Sequence, residues 1–451
     1  MTPPTPLFSP SMSRKSEHDE ARRREDATSL EYYIADMLRV LEYACIWSGE
    51  SSLSLLKTLL STGATIVFMF INTLLLLSEV VALTMNNDLK LFANIIGVIG
   101  MHFTGLLKWC YCIRTNREIV DIVTKLGKCH VLCQRIDKSE EGYRIYRNEM
   151  EHVRKYSNFF VWWWTFACVY GVLHWCANPL LLEWAPDQIN SINHTFKNRI
   201  LPFVGWYPLN TDNVYNYACL YLMQIIGGIS PALGIVCYDA FYVTVLMVIC
   251  AQFQYINTIM VKIDFDNGSE TMFILESKLK ACVDCHTEII KFLKMLQTFS
   301  SPTMFAQCIE TLVILCLVSF EASVIKIALD MESILKLWAL LEYFLCAAFQ
   351  LYFFCFFATR LEHLGLQIAH SVYSCGWEFV DFEKKAQVDF RKQSKHCDIG
   401  RLVQTIMVRA QRSIVLTGGP FYVLSLETFR VIMSMAMSNS VMLRTISELD
   451  E

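Results

Sequence analysis

The chain has 451 residues, 54% of them hydrophobic and only 18% charged, with a mean hydropathy of +0.35. Its apolar residues are gathered into long runs, which excludes an ordinary soluble domain and marks a membrane protein. The formal net charge of −4 conceals a segregation of charge by position and leaves no broad basic surface, so no nucleic-acid partner is expected.

In chain order, residues 1–29 are polar and rich in Pro, Ser and Arg, without the apolar stretch of a cleaved signal peptide, and are expected to be disordered. The first apolar run would then act as an uncleaved signal-anchor. Leu30, Ile34, Leu38, Leu41 and Cys45, spaced by three or four, predict an amphipathic helix before the membrane, over 30–56. Apolar segments follow at 58–83, 91–113, 158–182, 214–262, 303–329, 335–359 and 413–443. Each exceeds the roughly 20 residues that cross about 30 Å of hydrocarbon. As one helix the fourth would be on the order of 70 Å long, so it is either two spans or one that projects beyond the bilayer.

Charge decides between these. With a single fourth span and the amino terminus inside, the segments 1–57, 114–156, 263–302 and 361–412 face the cytosol and hold 29 of the 39 Lys and Arg. Splitting the segment would carry the positives of 361–412 outside, against the positive-inside rule. The expected fold is all-α, with seven transmembrane helices, a cytosolic amino terminus and an extracellular carboxyl terminus. It divides into a cytosolic tail and pre-membrane helix (1–57) and six membrane helices with intracellular extensions (58–362). Cytosolic anchor helices follow (363–412), with Val388, Ile399, Leu402 and Ile406 on an apolar stripe. A seventh helix with a short outer tail ends the chain (413–451). The interruption of that seventh span by Gly418, Gly419 and Pro420 is costly in lipid, which predicts that the last helix borders water and points to a channel.

The outer loop 183–213 carries Asn193-His-Thr195, a glycosylation acceptor or an unused triplet; Asn267-Gly-Ser269 falls in an inner segment and should stay unmodified. The 18 cysteines lie in spans or inner segments and read as reduced packing thiols. Cys282-Val-Asp-Cys285-His286 has the spacing of a c-type haem attachment, but no second iron-ligand motif accompanies it. Cys129-His130 with Cys133 is too sparse for a closed zinc site. No cofactor and no metal are expected. Asp239, Glu310, Glu321, Glu342 and Glu427 are scattered singly over four helices, not gathered as an enzyme would need. Asp239, near the inner membrane boundary, is expected in an ion pair or hydrogen bond between helices. Trp162, Trp163 and Trp164 read as anchors at the membrane boundary, not as pocket walls.

The tail from Ala410 through Thr417-Gly-Gly-Pro-Phe-Tyr-Val-Leu-Ser-Leu-Glu-Thr-Phe429 resembles the carboxyl-terminal signature of insect odorant receptors. Ala369-His-Ser-Val-Tyr373 with Trp377, and Asp239-Ala-Phe241, are similar to further segments of that family. The aromatic stretch that the family carries late in its last helix is replaced here by Met437, Ser438, Asn439 and Ser440.

The resemblance implies an odorant-gated, non-selective cation channel, a heterotetramer with a shared co-receptor in the plasma membrane of olfactory sensory neurons. Because 263–302 is short, it implies the odorant-tuned subunit. The implied partners are that co-receptor, a volatile organic ligand, membrane lipid and permeant cations. The alternatives are a gustatory-type channel of the same superfamily, or a seven-span receptor coupled to a soluble transducer. The implied pocket lies in the outer half of the membrane. By depth its candidates are Phe92, Ile96, Tyr170, His174, Met223, Ile226, Phe344 and Phe349, each of which would otherwise be helix packing. Among them His174 offers a hydrogen-bond donor. Met442 and Ile446 match the apolar constriction of the family's pore, with Val441 one position away. Glu427 is either a cation-attracting vestibule group or an interhelical hydrogen-bonding residue.

Overall fold

In the computed structural model the described residues are 29–44, 46–47, 55–86, 88–183, 200–262, 268–325, 331–378 and 399–449. They form α1 (Leu30–Tyr33), α2 (Ala35–Tyr43), α3 (Leu55–Met85), α4 (Leu89–Arg114), α5 (Asn116–Gln134) and α6 (Glu140–Glu183). Then come α7 (Val214–Val261), α8 (Gly268–Val324), α9 (Met331–Tyr373) and α10 (Ile399–Ala410). A hairpin of β1 (Thr417–Gly418) and β2 (Tyr422–Val423) leads into α11 (Leu426–Leu449). Asn193 and Asn267, and with them both glycosylation triplets, lie outside the described residues.

The ambiguous fourth segment is one helix. α7 has 48 residues, its amino-terminal turn capped by Asn213, whose side chain accepts from the Tyr215 amide. It is apolar on every face, and a helix of that kind must be buried. Of its most apolar stretch 89% is buried, against 22% for α3 and 17% for α6. So α7 is the axis of the fold, and α3 and α6 present Ile66, Phe70, Leu77, Phe159, Phe166 and Leu173 outward, where lipid would lie. Six helices, α3, α4 and α6 to α9, are long and apolar enough to cross a membrane. α11, with 24 residues, is long enough but more polar.

The axis is gripped by close approach of backbones. A Cβ at Gly105 of α4 would lie 2.4 Å from Pro231 Cβ and 2.5 Å from its carbonyl oxygen, and one at Gly234 of α7 would lie 2.4 Å from Gly105 O. Small residues that let helices touch are how packing is achieved when lipid is the solvent.

α6, α7, α8 and α9 run far beyond a bilayer; α8 alone, with 57 residues, is on the order of 85 Å long. Their extensions share one core with α1, α2, α5 and α10, in which Leu30, Met37, Ile122, Leu126, Leu279 and Val403 are buried. The predicted pre-membrane helix is therefore present but ends at Tyr43, and the predicted inner segment 263–302 is mostly an extension of the fifth span. Of the predicted anchor stripe, Ile399 and Ile406 are buried and Leu402 half-buried; Val388 lies outside the described residues. Cys129, Cys133, Cys282 and Cys285 are buried here, Cys133 and Cys285 with sulfurs 3.0 Å apart. All sixteen cysteines among the described residues are free. Among those residues no three His, Cys, Asp or Glu side chains are grouped to hold a metal.

Between α5 and α6, Asp137 takes a hydrogen bond from the Ser139 amide (2.9 Å) and from Lys278 Nζ of α8 (2.7 Å), while Ser139 Oγ caps the Gly142 amide (3.0 Å). Burial pushes the Asp137 carboxyl up, but the bonds from Lys278 and Ser139 outweigh it and hold the group below the usual carboxylate range.

One expectation is corrected. Gly418, Gly419 and Pro420 do not break a membrane helix; they form the hairpin before α11, with Thr417 opposite Val423 and Gly418 opposite Tyr422. The freed backbone groups are met by protein. The Gly419 amide donates to Ser301 O (3.0 Å), the Thr417 amide to Gln297 Oε1 (2.9 Å), and Gln297 Nε2 to Thr417 O (2.9 Å). Gly419 has φ +62°, and a Cβ there would meet the Phe305 ring at 2.7 Å. The glycines thus follow from a turn docked on α8, and a wet last helix does not follow from them.

Gly105→Val and Gly234→Val are expected to abolish surface expression, whereas Gly127→Ala, where a Cβ meets nothing within 4 Å, should leave it unchanged; surface biotinylation of the three variants distinguishes them. A carboxylate held below its unfolded pKa stabilises above that value, about 3.9, and the contribution fades as pH falls through the folded pKa. Purified protein should therefore lose melting temperature on acidification below about pH 4, and Asp137→Asn should flatten that slope.

Candidate functional site

The site is built on charges that the apolar helices carry in their middle. Lys108 Nζ of α4 and Asp239 Oδ1 of α7 are 2.7 Å apart, with both side chains at most 1% exposed. The ammonium also lies 5.5 Å from the centre of the Tyr238 ring and 5.6 Å from that of Phe354. Asp239 Oδ2 accepts from Trp164 Nε1 of α6 (3.1 Å) and Gln350 Nε2 of α9 (2.6 Å). Gln350 Oε1 accepts from Gln307 Nε2 of α8 (2.9 Å), which also reaches Glu310 Oε2 (2.9 Å) and Thr311 Oγ1 (3.0 Å). A buried ion pair holds only if the remaining lone pairs and protons are matched, and this one is matched from five helices.

Above that floor is a cavity of about 100 Å³. Its floor and sides are Trp164, Gln307, Glu310, Thr311 and Gln350 with apolar Val98, Met101, Cys168, Val172, Ile235, Ile314 and Ala347. Ala167, Gly171, Trp175, Ala232, Ala339, Glu342, Tyr343 and Cys346 complete the wall, together with Phe203 from the segment before α7. Phe203 is fixed by reciprocal bonds with Gln224, amide to Oε1 and Nε2 to carbonyl, both 2.9 Å. Trp175 Nε1 donates to Pro202 O (3.0 Å). Trp175 and Ala339 also border a second, more open recess of about 530 Å³ lined by Asp88, Asn94, Glu321, Glu332 and Lys336. A mostly apolar cavity with a few convergent polar groups is what a small-molecule site requires.

None of the eight residues predicted to line a pocket lines this cavity. Phe92, Tyr170 and Phe349 are exposed on the outer surface; Ile96, Met223, Ile226 and Phe344 are half-buried. His174 gives its Nδ1 to Glu342 Oε2 (2.9 Å) and stacks on Tyr170, so it supports a cavity residue from behind. On α7 the cavity touches Ala232 and Ile235, deeper than Met223 and Ile226. Trp164 is a buried wall residue, contrary to its reading as a boundary anchor; Trp162 is exposed, as an anchor would be. The expected interhelical pairing of Asp239 is present. Lys108, Gln307, Gln350 and Gly171 were missed. Lys108 could have been found, since a lysine inside an apolar run and an aspartate inside another are each other's obvious partner.

At the far end of the fold α11 starts under Ser425, whose Oγ caps the Thr428 amide (3.1 Å), and Glu427 of its first turn pairs with Arg430 at 2.7 Å. Val441, Met442 and Ile446 are exposed, as are Ser434, Ser438, Asn439 and Thr445. The buried side of α11 is seated through Ala436 on Ile314, Leu315, Leu340 and Ala347 of α8 and α9.

These features define a class: a multi-pass helical membrane protein with a small cavity among its helices and a more polar terminal helix. The profile of the 7tm Odorant receptor family matches residues 89–437, most of the chain, and the chain belongs to that family. It is 23% identical over 288 residues to odorant receptor 13a and 20% identical over 320 residues to odorant receptor 83a, both of Drosophila melanogaster. Those matches take in 63% and 60% of this chain and 65% and 63% of the two relatives, so the chain spans a little under two thirds of their length. The fold is that of the insect olfactory receptor OR5 from Machilis hrabei, with TM-score 0.71 at 14% identity over 93% of this chain and 100% of that one. The same receptor in complex with eugenol matches with TM-score 0.69 at 13% identity and the same coverage. Membership places the chain among receptors rather than enzymes, on the odorant and not the gustatory branch.

Lys108→Met, which strands the Asp239 charge, is expected to cost about 3–5 kcal/mol and to lower the melting temperature in detergent sharply. Adding Asp239→Asn, which keeps an acceptor for Trp164 or Gln350, should recover a large part of the loss in the same assay.

Proposed function

We propose that this chain is an odorant-tuned subunit of a ligand-gated, non-selective cation channel that opens a central pore together with a co-receptor. The observation that carries the reading is the cavity beside Trp164, Gly171 and Gln350, bordered by five helices and by Phe203. The ligand-contacting residues are those that line it, in place of the eight chosen by depth. The family and a solved receptor of the same fold that holds eugenol support a small volatile ligand.

The amino terminus lies in the cytosol and the carboxyl terminus outside, by the distribution of Lys and Arg. The extended helix ends with α1, α2, α5 and α10 form the cytosolic anchor, and the chain sits in the plasma membrane of olfactory sensory neurons. α11 supplies the pore face. Its exposed serines, Asn439 and Thr445 suit water better than lipid, and Val441, Met442 and Ile446 form the apolar constriction. Glu427 and Arg430 place both signs of charge at the opposite mouth. Ligand reaches the pore through the wall itself, since Ile314 and Ala347 border the cavity and pack with Ala436 of α11.

The test is current recording in cells that express the chain with and without the co-receptor, against a panel of volatile alcohols, amines, ketones, ethers, esters, aldehydes and terpenoids that includes members of about four to six non-hydrogen atoms. Ligand-dependent current that needs the co-receptor and no nucleotide is expected; a response carried by a soluble transducer, or none in either condition with surface expression confirmed, would defeat the reading. A Cβ at Gly171 meets nothing within 4 Å, so Gly171→Leu grows into the cavity without a backbone clash. It should reduce sensitivity to the ligand by about ten-fold or more while surface expression stays normal.

A further inference from the structure

Hydrogen-bond polarity in the cavity is not arbitrary. It is set at the ion pair and passed outward through two side-chain amides. As the partner of the Lys108 ammonium, Asp239 acts as an acceptor at both oxygens. Gln350 must therefore turn its Nε2 toward Asp239, which leaves its Oε1 to face Gln307. Gln307 must in turn present its Nε2 to Gln350, and the same nitrogen meets Glu310 and Thr311. Gln307 Oε1 is left over, buried without a partner on a residue only 1% exposed. Across the cavity, Glu342 spends Oε2 on His174 and leaves Oε1 buried and unpaired.

The nitrogen donors of the wall and its phenol are spent elsewhere, while the Thr311 hydroxyl, which accepts from Gln307 Nε2, keeps its own proton. Trp164 and Gln350 donate to Asp239, Trp175 to Pro202 O and Tyr343 Oη to Gly97 O (2.7 Å), while the Gln307 amide has three acceptors for two protons. No Lys, Arg or His borders the cavity, so Gln307 Oε1 and Glu342 Oε1 meet no cationic donor there. Buried acceptors without partners cost free energy that a ligand proton would recover.

We infer that this receptor is tuned to small volatiles that carry an N–H or O–H donor, alcohols or amines, and selects against ketones, ethers and esters of the same size. The inference rests on the cavity being the odorant site. The cavity, about 100 Å³, is smaller than the engineered cavity of roughly 150 Å³ that accommodates benzene, so a matching ligand has about six non-hydrogen atoms or fewer.

The test uses the full chain with its co-receptor and four compounds of equal heavy-atom count: 1-butanol, 1-butylamine, 2-butanone and methyl propyl ether. The alcohol, the amine or both should activate at about ten-fold lower concentration than the ketone and ether, and which of the two leads identifies the source of the donor. Glu342→Gln, which keeps an oxygen for His174 and turns an amide N–H toward the cavity, should raise the ketone response and narrow the gap, with the surface pool measured alongside. Equal potency of all four compounds, or silence to all four at normal surface expression, overturns the assignment. Gly171→Leu separates the two levels. If it leaves a donor preference intact, the cavity is not the site. If it abolishes responses that show no donor preference, the cavity is the site and the ligand class is wrong.

Discussion

A lysine and an aspartate cannot both lie in the middle of apolar helices unless they meet, and the meeting of Lys108 and Asp239 fixes the arrangement of everything around them. Alone, the lysine would have to reach water or lose its proton, and the aspartate reach water or gain one; together they need further partners, because one ammonium does not satisfy two carboxylate oxygens. The partners come from α6, α8 and α9 as Trp164, Gln307 and Gln350. A rotation of any of these helices would break a bond at the centre, so the network specifies the rotational setting of five helices at once. Between apolar helices in lipid, where few other directional interactions exist, that specificity is what a polar network contributes.

The same network explains why a cavity exists beside it. Apolar side chains close-pack when they are free to choose their rotamers, and interiors keep few voids. Here the side chains at the crossing are held by hydrogen bonds, and the facing positions are small: Ala167, Gly171, Ala232, Ala339 and Ala347. What remains is a space with a polar floor and apolar walls. Its roof, Phe203, is held by Gln224, Tyr207 also bonds to that glutamine, and the Trp206 amide bonds to Ser78 O. The roof is thus tied by hydrogen bonds on a segment outside the helices, a different kind of support from the packed helices below.

How much was legible in the sequence follows from which quantities a sequence encodes strongly. Six of the seven expected spans, the single long α7 and the pairing of Asp239 were legible, because apolar runs and lone charges are large signals. Depth along the helices was partly legible and facing was not. On α6 the predicted Tyr170 and His174 stand next to the true wall residues Gly171 and Trp175; on α9 Phe344 and Phe349 stand next to Tyr343 and Gln350. One residue on a helix is a turn of about 100°, enough to exchange the cavity for the lipid-facing side. Residue size did not tell the faces apart, since the lining mixes Ala167 and Gly171 with Trp164, Trp175, Phe203 and Tyr343. The glycine-rich tail misled differently. Gly418, Gly419 and Pro420 were read as a wound in a helix, when the turn they make is supplied with partners by Gln297 and Ser301 of α8.

The position of that hairpin bears on how a small cavity could govern a distant helix. α11 is tethered at its start, where the hairpin bonds to α8 and the Leu426 amide bonds to Thr359 of α9. Further along, one face of it is seated along its length through buried Ile432, Ala436, Ser440 and Ser447, while the opposite face, with Val441 and Met442, is exposed. Under the proposed function, a separation of α8 from α9 beneath that seat would carry the far end of α11 with it. Val441, Met442 and Ile446 lie at that far end. Ile314 and Ala347, which would be pushed apart by a ligand, lie under the seat. Under the proposed function the coupling would therefore run through the α8–α9 seam, which carries both a wall of the cavity and the seat of α11.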